Sequence, residues 1–213
     1  QTPRVQLLLT GNEIMSGDTV DSNSAMIAKR LDELAIGIYR KVTVGDDPAL
    51  LQQELTAMAA NADLIIVNGG LGPTVDDLTA EILAAAAKVS LQEHPQAIAH
   101  LQQWCAGRNL ELNAANLKQA MLPEGCQIVD NPIGSAVGFE MNMDGCRIIC
   151  TPGVPSELAA MLDIIVASLA AEREQPVERN IMRLQTFGLG ESSAQQIISD
   201  NIPDWPASVE LGF

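Results

Sequence analysis

Glycines and aspartates crowd one short segment of the sequence, "NGGLGPTVDDLT". Its three glycines, Gly69, Gly70 and Gly72, allow a tight backbone turn and let a ligand approach the main chain closely. The segment follows an apolar run and leads into a predicted helix, and the free N–H groups at a helix start bind anions such as phosphate. Asp76 and Asp77 place negative charge at the same helix start. The segment therefore combines a phosphate-binding loop with two carboxylates that would repel a phosphate.

A divalent cation would resolve this conflict. Mg²⁺ is usually held by one or two carboxylates together with substrate phosphates and water. Asp77 and Asp46, which follows the second predicted strand, are the favoured ligands for Mg²⁺ or Mn²⁺, and Asp76 is a third candidate. The cation would polarise a phosphoryl oxygen and help to activate water. Two structural explanations stay open, because acids in a first helical turn stabilise the helix dipole and Asp46 with Asp47 is also typical of a turn or cap.

The elements that must position these residues alternate between apolar strands and amphipathic helices. Strands are predicted over residues 4–10, 36–45, 62–70, 126–131, 136–142 and 146–153. Helices are predicted over residues 22–34, 47–60, 75–88, 94–106, 113–121 and 154–171. Repeated strand–helix units indicate an α/β fold with a doubly wound, mostly parallel sheet, and the Asp144-Gly145 turn adds an antiparallel hairpin. Ligands of such sheets bind beyond the C-terminal ends of the strands, where the Gly-, Asp- and Asn-rich loops of this sequence fall.

A charged stretch that contains Pro176, at residues 172–179, marks the predicted domain boundary. The tail beyond it is predicted to hold a strand over residues 181–190, a helix over residues 191–200 and a strand over residues 207–213. One helix and two strands are too little to bury an apolar face of their own. We therefore expect the chain to be a fragment of a longer protein, or its tail to pack on a partner subunit.

Composition narrows the choice of partners. The net charge is −15 with only 12 Lys and Arg residues, which disfavours nucleic acid and anionic membranes as partners. No apolar run approaches the roughly 20 residues of a membrane-spanning helix, and no signal peptide is recognisable. Four cysteines without a CxxC pair indicate reduced thiols in a cytoplasmic protein. A small anionic ligand is compatible with this composition if backbone N–H groups, a lysine or a metal ion neutralises it.

Other catalytic motifs fit poorly. "GLGPTV" matches the G-x-G-x-x-G fingerprint only in part and follows the third strand rather than the first, and no GK[ST] of a P-loop is present. Ser16 and Ser135 have no histidine in a nearby motif, which disfavours a serine hydrolase. The two histidines, His94 and His100, are six residues apart in a helical stretch and do not share a face, which disfavours a zinc site.

Six motifs follow one another along the chain: "TGNEIMSGDTVDSN", "TVGDD", "NGGLGPTVDDLTAEIL", "NLKQAMLPEG", "NPIGSAVGF" and "TPGVPSE". In this order they resemble the competence/damage-inducible protein CinA family over roughly residues 5–169, and "TFGLGES" continues the resemblance into the tail. "GGLGPTVDD" is also similar to the wider molybdopterin-binding group of MogA-like and MoeA-like proteins. The resemblance implies a three-layer α/β/α sandwich of the molybdopterin-binding type over residues 1–172, followed by an incomplete KH-like α+β segment over residues 180–213.

The resemblance also implies a function. In the family this domain is associated with metal-dependent hydrolysis of ADP-ribose to AMP and ribose 5-phosphate, and commonly with homodimers. Many members continue into a C-terminal nicotinamide-mononucleotide deamidase domain that is not recognisable in this sequence, so we expect a truncated chain. The implied ligand is a small anionic nucleotide held with Mg²⁺ or Mn²⁺. Two alternatives share the same loop and acids: a molybdopterin-binding or adenylyl-transfer module, and a non-catalytic nucleotide-binding dimerisation module.

Site residues are assigned from this resemblance, motif by motif. The phosphate-binding loop would comprise Gly69, Gly70, Gly72 and Thr74. The catalytic residues would be Asp77 and Asp46, which bind the metal, and Lys118, which offsets developing charge. The polar residues that line the pocket would be Asn23, Ser135 and Glu157. Leu117 and Asn12 depart from the family, which usually has an arginine and an aspartate at these two positions.

Overall fold

The structure, a computed structural model, describes residues 3–172, 182–206 and 208–212 of the chain. The chain divides into two compact units, Gln1–Arg179 and Asn180–Phe213. Most of the predicted boundary stretch, residues 173–179, lies outside the described residues.

Strands and helices alternate through the first unit. The strands are β1 (Val5–Thr10), β2 (Ile38–Val44), β3 (Leu64–Asn68), β4 (Leu91–Glu93), β5 (Met121–Pro123), β6 (Gln127–Val129), β7 (Gly138–Met143) and β8 (Cys146–Thr151). The helices are α1 (Asn12–Ser16), α2 (Asn23–Asp32), α3 (Pro48–Ala59), α4 (Thr79–Ala87), α5 (Pro95–Ala106), α6 (Ala114–Lys118) and α7 (Pro155–Ala171), with α8 (Glu191–Asn201) in the second unit. Within the described residues, no helix has both the length and the hydrophobicity that crossing a membrane would require.

Six of these strands form one sheet in the order β2-β1-β3-β8-β7-β6. β1 runs parallel to β2 and β3, and β3 runs parallel to β8, whereas β7 is antiparallel to both β8 and β6. Helices connect the parallel strands, because a parallel connection must return from one end of the sheet to the other. The predicted α/β fold with a mostly parallel, mixed sheet is confirmed.

Two apolar clusters cover the two faces of this sheet. Along β1, Leu8 packs in a cluster with α3, α4 and α5, while Leu7 and Leu9 pack in a second cluster with α2 and α7. β3 divides in the same way, with Ile65 in the first cluster and Ile66 in the second, because successive strand side chains point to opposite faces. The central strands are apolar throughout since helices cover both faces. The result is the predicted α/β/α sandwich.

The hairpin between β7 and β8 has the predicted turn. Met143 pairs with Cys146, which leaves Asp144 and Gly145 as a two-residue loop. Both have positive φ, 53° and 91°, as a type I′ turn requires, and Asp-Gly is a preferred pair for this turn.

Two helices are shorter than predicted. α4 begins at Thr79 rather than at residue 75, because the Asp77 side chain accepts a hydrogen bond from the Thr74 N–H and the Thr79 N–H donates to the Gly70 carbonyl. These bonds hold the intervening residues in turns. α6 ends at Lys118 rather than at residue 121. Met121 instead begins β5, which pairs with β4, and sequence reasoning missed both strands. Strands of three residues are too short to show a recognisable period.

The second unit contains the predicted helix as α8. The prediction of two strands in the tail is wrong for the residues described, since residues 182–190 and 208–212 contain no strand. The remaining residues of these predictions, Ile181, Ala207 and Phe213, lie outside the described residues. Met182 and Leu184 are largely exposed. A strand needs a pairing partner, which a short sequence pattern cannot supply. The KH-like assignment stays a prediction.

All four cysteines are buried free thiols: Cys105, Cys126, Cys146 and Cys150. Burial raises the pKa of Cys126 and of Cys146 to about 11, and burial also raises the pKa of Cys150. Thiols with raised pKa values stay protonated at neutral pH and are poor nucleophiles. The prediction of buried, unpaired cysteines is confirmed.

Phe139 tests the placement of the core. It is fully buried on β7, so Phe139→Ala should lower the free energy of unfolding by about 3–5 kcal/mol through lost apolar burial and a cavity. Urea denaturation measures this change. Phe187 is the matched control because its side chain is fully exposed, and Phe187→Ala should change the free energy by less than about 0.5 kcal/mol. Equal effects of the two substitutions would contradict the described core.

Candidate functional site

The carboxyl ends of the parallel strands open into a cleft of about 530 Å³. Its wall is formed by the loops that follow β1, β2, β3 and β8, together with the loop that precedes β7. This edge is where open α/β sheets bind ligands, and the volume is in the range of roughly 300–1,000 Å³ that is usual for ligand pockets. The polar loops that were expected at one edge of the sheet do meet there.

Gly69 and Gly70 form a turn at the end of β3 that only glycine adopts easily. Their φ angles are 112° and 67°, and a Cβ on Gly69 would lie 2.6 Å from the Thr10 carbonyl oxygen. The Gly69 N–H donates to the Thr151 carbonyl at 2.9 Å, so Gly69 shapes the predicted glycine loop and its own N–H is already bonded. The N–H groups of Gly70 and Gly72 have no acceptor among the described residues, which leaves them for an anion.

Asp76 and Asp77 lie in the turn before α4, not in its first helical turn. Asp77 Oδ2 accepts hydrogen bonds from the N–H and the hydroxyl of Thr74, at 2.9 and 2.6 Å. The Thr74 hydroxyl also contacts Asp76 Oδ1, and this hydrogen bond lowers the pKa of Asp76. Both carboxylates line the cleft, whereas Thr74 does not. The predicted phosphate contact of Thr74 is therefore replaced by a role in positioning the two acids.

Asp46 joins the loops that follow β1 and β2. Its Oδ1 accepts from the Thr10 hydroxyl and its Oδ2 from the Asn12 N–H, both at 3.0 Å, and its own N–H donates to Asn12 Oδ1 at 3.1 Å. Asp46 lines the cleft. The neighbouring Asp47 instead caps α3, where its side chain accepts from the Leu50 N–H at 2.9 Å. The structural explanation thus holds for Asp47, while Asp46 belongs to the cleft.

A chain of buried amides supports the cleft. Asn23 Nδ2 donates to Asn68 Oδ1 at 2.9 Å and to the Gly153 carbonyl at 2.7 Å. Asn68 Nδ2 donates to Thr151 Oγ1 at 3.1 Å and to the Pro152 carbonyl at 2.7 Å. Asn23, Asn68 and Thr151 are 7%, 1% and 0% exposed. This network connects α2 to the ends of β3 and β8, and it places Asn23 on the wall of the cleft at its predicted position.

The loop before β7 is shaped by Asn131, which sequence reasoning missed. Asn131 Oδ1 accepts from the N–H groups of Ile133 and Gly134, at 3.1 and 2.9 Å, and its Nδ2 donates to Glu157 Oε2 at 2.8 Å. Ser135 and Glu157 both line the cleft, where the sequence predicts them. The Asn-Pro pair that begins "NPIGS" is the turn signal that could have identified Asn131.

The structure does not bring Lys118 into the cleft. Its Nζ donates to the carbonyls of Thr74 and Asp77, at 2.5 and 2.8 Å, and lies 3.9 Å from the Glu81 carboxylate. The side chain lines a smaller neighbouring cavity of about 20 Å³. The predicted direct contact with the substrate is therefore corrected: Lys118 holds the turn that carries Asp76 and Asp77. A long lysine side chain reaches whichever acceptors the fold provides, and its sequence motif does not reveal them.

Carboxylates dominate the electrostatics of the cleft. Six of them line it: Glu13, Asp21, Asp46, Asp76, Asp77 and Glu157. None of the described lining residues is a lysine, an arginine or a histidine. Sequence reasoning did not single out Glu13 and took Asp21 as an ordinary helix N-cap type, although both lie in the motif "TGNEIMSGDTVDSN". Because like charges repel, this lining disfavours the binding of a free anionic ligand.

Asp21 also fixes the start of α2. Its Oδ1 accepts from the Ser24 N–H at 2.9 Å, and its Oδ2 contacts the Ser24 hydroxyl and, at 3.1 Å, Lys41 Nζ. Burial raises the pKa of Asp21, but the hydrogen bonds from Ser24 and the charge of Lys41 outweigh burial, so the pKa is lowered overall. Asp21 therefore stays ionised at neutral pH, and its charge is paired with that of Lys41.

Comparison with known families identifies the class of protein. The family model described as the probable molybdopterin binding domain matches residues 6–171. The chain therefore belongs to the probable molybdopterin binding domain family.

Within that family, the chain is most informatively compared with curated relatives of similar sequence. A CinA-like protein from Colwellia psychrerythraea (strain 34H) is 56% identical over 212 residues, which cover 99% of this chain and 49% of the relative. A CinA-like protein from Shewanella sp. (strain ANA-3) is 38% identical over 213 residues with the same coverage. The chain thus spans about half the length of the curated relatives it matches. The predicted resemblance to the CinA family is confirmed.

Solved structures agree with this likeness. The protein CinA of unknown function from Thermoplasma acidophilum matches with a TM-score of 0.73 at 30% identity, covering 79% of this chain and 98% of that one. The molybdopterin biosynthesis enzyme MoaB from Thermus thermophilus matches with a TM-score of 0.54 at 19% identity, covering 80% and 93%. The second likeness concerns the fold alone, and it confirms the predicted molybdopterin-binding type of sandwich.

The buried amide network can be tested through Asn68. Asn68→Ala should lower the free energy of unfolding by about 2–6 kcal/mol, because Asn23 Nδ2 and the Pro152 carbonyl lose buried partners at about 1–3 kcal/mol each. Asn61 is the matched control: it is exposed and its Nδ2 donates only to the Ala57 carbonyl of α3. Asn61→Ala should change the free energy by less than about 0.5 kcal/mol. Chemical denaturation that finds the two variants alike would show that the network adds no stability.

Proposed function

We propose that the cleft binds ADP-ribose together with Mg²⁺ or Mn²⁺ and hydrolyses its pyrophosphate bond to AMP and ribose 5-phosphate. The observation that carries this proposal is the meeting of a glycine turn with six carboxylates, without a cationic side chain among the described lining residues. Backbone N–H groups of such a turn suit phosphate, and the acids suit the divalent cation that must accompany it. The choice of ADP-ribose comes from the resemblance to the CinA family.

Asp46 and Asp77 would hold the cation, with Asp76 as a third candidate. Asp77 Oδ1 has no donor among the described residues, and each oxygen of Asp46 accepts one hydrogen bond, so lone pairs are left for a metal ion. No three His, Cys, Asp or Glu side chains in the described part of the chain are grouped to hold a metal ion by themselves. The proposed ion would therefore take one or two carboxylates and complete its shell with phosphates and water, as Mg²⁺ does. Once bound, the cation would polarise a phosphoryl oxygen and acidify a bound water.

The remaining residues would bind and orient the substrate. The N–H groups of Gly70 and Gly72 would donate to phosphate oxygens as negative charge develops on them. Ser135 and Glu157 would contact the groups beyond the diphosphate. Lys118 would act indirectly, since its bonds to the Thr74 and Asp77 carbonyls fix the turn that carries the acids.

A molybdopterin-binding module, with or without adenylyl transfer, is the second candidate. The family model matched over residues 6–171 favours it, and a phosphate-bearing pterin could use the same glycine turn and acids. Calorimetric titration separates the two candidates. Tight molybdopterin binding without ADP-ribose binding would reverse their order.

Asp46 and Asp47 form a matched pair for testing the reaction. Asp46→Asn should lower the rate of AMP release from ADP-ribose by about 100-fold, because it removes a carboxylate from the cation in the cleft. Asp47→Asn should change the rate by less than about twofold, because Asp47 caps α3 and asparagine caps a helix equally well. Chromatography of AMP from purified protein with Mg²⁺ measures both rates.

A chelator-treated sample defines the background for this assay. If wild-type protein binds ADP-ribose but releases no AMP above that background, the non-catalytic nucleotide-binding hypothesis replaces the hydrolase. If Asp46→Asn and Asp47→Asn are equally active, the role assigned to Asp46 is wrong.

A further inference from the structure

Two amide oxygens of the cleft wall have no hydrogen-bond donor. Asn23 Oδ1 and Gln119 Oε1 are buried and unpartnered, and both residues line the cleft. Each residue is 7% exposed. A buried acceptor without a donor is costly and therefore rare in folded proteins. Because both residues line the cleft, a ligand that enters it is the candidate donor.

Hydrogen bonds to the rest of the protein determine which amide atom is left over. Gln119 Nε2 donates to the Leu71 carbonyl at 3.3 Å, within the glycine turn. Turning the amide over would place Oε1 against that carbonyl, and two acceptors cannot bond to each other. The orientation of the Asn23 amide is fixed in the same way, because its Nδ2 donates to Asn68 Oδ1 and to the Gly153 carbonyl. The free atom is therefore an acceptor in both residues.

Gln6 offers the same chemistry outside the cleft. It lies on β1, is 1% exposed, donates from Nε2 to the Asn61 carbonyl at 3.3 Å, and has an unpartnered Oε1. Gln6 is not a lining residue of the cleft. An unpartnered oxygen alone is thus no evidence of a site, and what distinguishes Gln119 and Asn23 from Gln6 is their place in the cleft wall.

We infer that Gln119 and Asn23 bind hydrogen-bond donors of the ligand through their amide oxygens. Hydroxyl or amino groups of a nucleotide and water molecules of a bound cation share this donor chemistry. The inference rests on the proposed function and extends it, because six carboxylates and two amide oxygens make the side chains of the cleft rich in acceptors. The cleft therefore suits a phosphate anhydride that carries its own hydrogen-bond donors. A hydrated metal complex of a nucleoside diphosphate sugar is such a ligand.

Gln119→Met and Gln6→Met test this inference as a matched pair. Both substitutions remove one buried amide that donates to a backbone carbonyl at 3.3 Å, so their effects on stability should be similar. Binding of Mg²⁺ with the non-hydrolysable α,β-methylene analogue of ADP-ribose is measured by calorimetry. Gln119→Met should weaken binding by about three- to tenfold, the effect of one neutral hydrogen bond. Gln6→Met should stay within about twofold of wild type, because the residue lies outside the cleft.

A second probe separates the two sources of the donor. Methylenediphosphonate with Mg²⁺ has the diphosphate and the hydrated cation but no sugar or base. If Gln119→Met weakens binding of the nucleotide analogue but not of methylenediphosphonate, the donor belongs to the sugar or base. If both probes are weakened equally, the donor is water on the cation.

Wild-type protein gives a readout that does not depend on any variant. Saturation with the analogue and Mg²⁺ should shift the side-chain amide NMR signals of Gln119 and Asn23 and leave those of Gln6 in place. Unchanged Gln119 signals, or equal affinities for the two methionine variants, would overturn the inference. Shifts without AMP release from ADP-ribose would contradict only the proposed hydrolysis, whereas failure of wild type to bind the analogue would overturn both.

Discussion

Six carboxylates face one cleft at the carboxyl edge of the sheet, and no described lining residue brings a positive side chain to meet them. Each phosphate that entered would add to the negative charge, so the proposed binding would be coupled to the uptake of cations. Backbone N–H groups at Gly70 and Gly72 supply only partial positive charge. Under the proposed function the ions of the solution would be part of the binding site, and the same charge that repels a free nucleotide would attract its metal complex.

The fold keeps these acids together against their mutual repulsion. Asp46 is tied to the end of β1 through the Thr10 hydroxyl, Asp77 to the turn before α4 through Thr74, and Glu157 to the loop before β7 through Asn131. The loops themselves are anchored to a sheet whose apolar strands are buried on both faces. The strands and the hydrogen-bonded loops thus hold like charges close together. Side chains that were free to move would avoid this arrangement.

The sheet could be predicted from the sequence, but much of the site could not. Strands such as β1 and β3 are apolar at successive positions because helices cover both faces, and that pattern is visible in one dimension. The start of α4 depends on a hydrogen bond from Thr74 to Asp77, which competes with helix formation and leaves no periodic signal. Lys118 falls in a recognisable motif, yet its contacts are set by tertiary structure. The oxygen of Gln119 lacks a donor, which no sequence pattern records.

The central claim is that a divalent cation reconciles the acids with an anionic ligand, and the linkage between the two ligands tests it most directly. Calorimetric titration of ADP-ribose at increasing Mg²⁺ concentration, with monovalent salt held at constant ionic strength, measures this linkage. We predict that the affinity for ADP-ribose rises with Mg²⁺, and by the same factor that ADP-ribose raises the affinity for Mg²⁺. Equally tight binding of ADP-ribose in the presence of a chelator would contradict the claim.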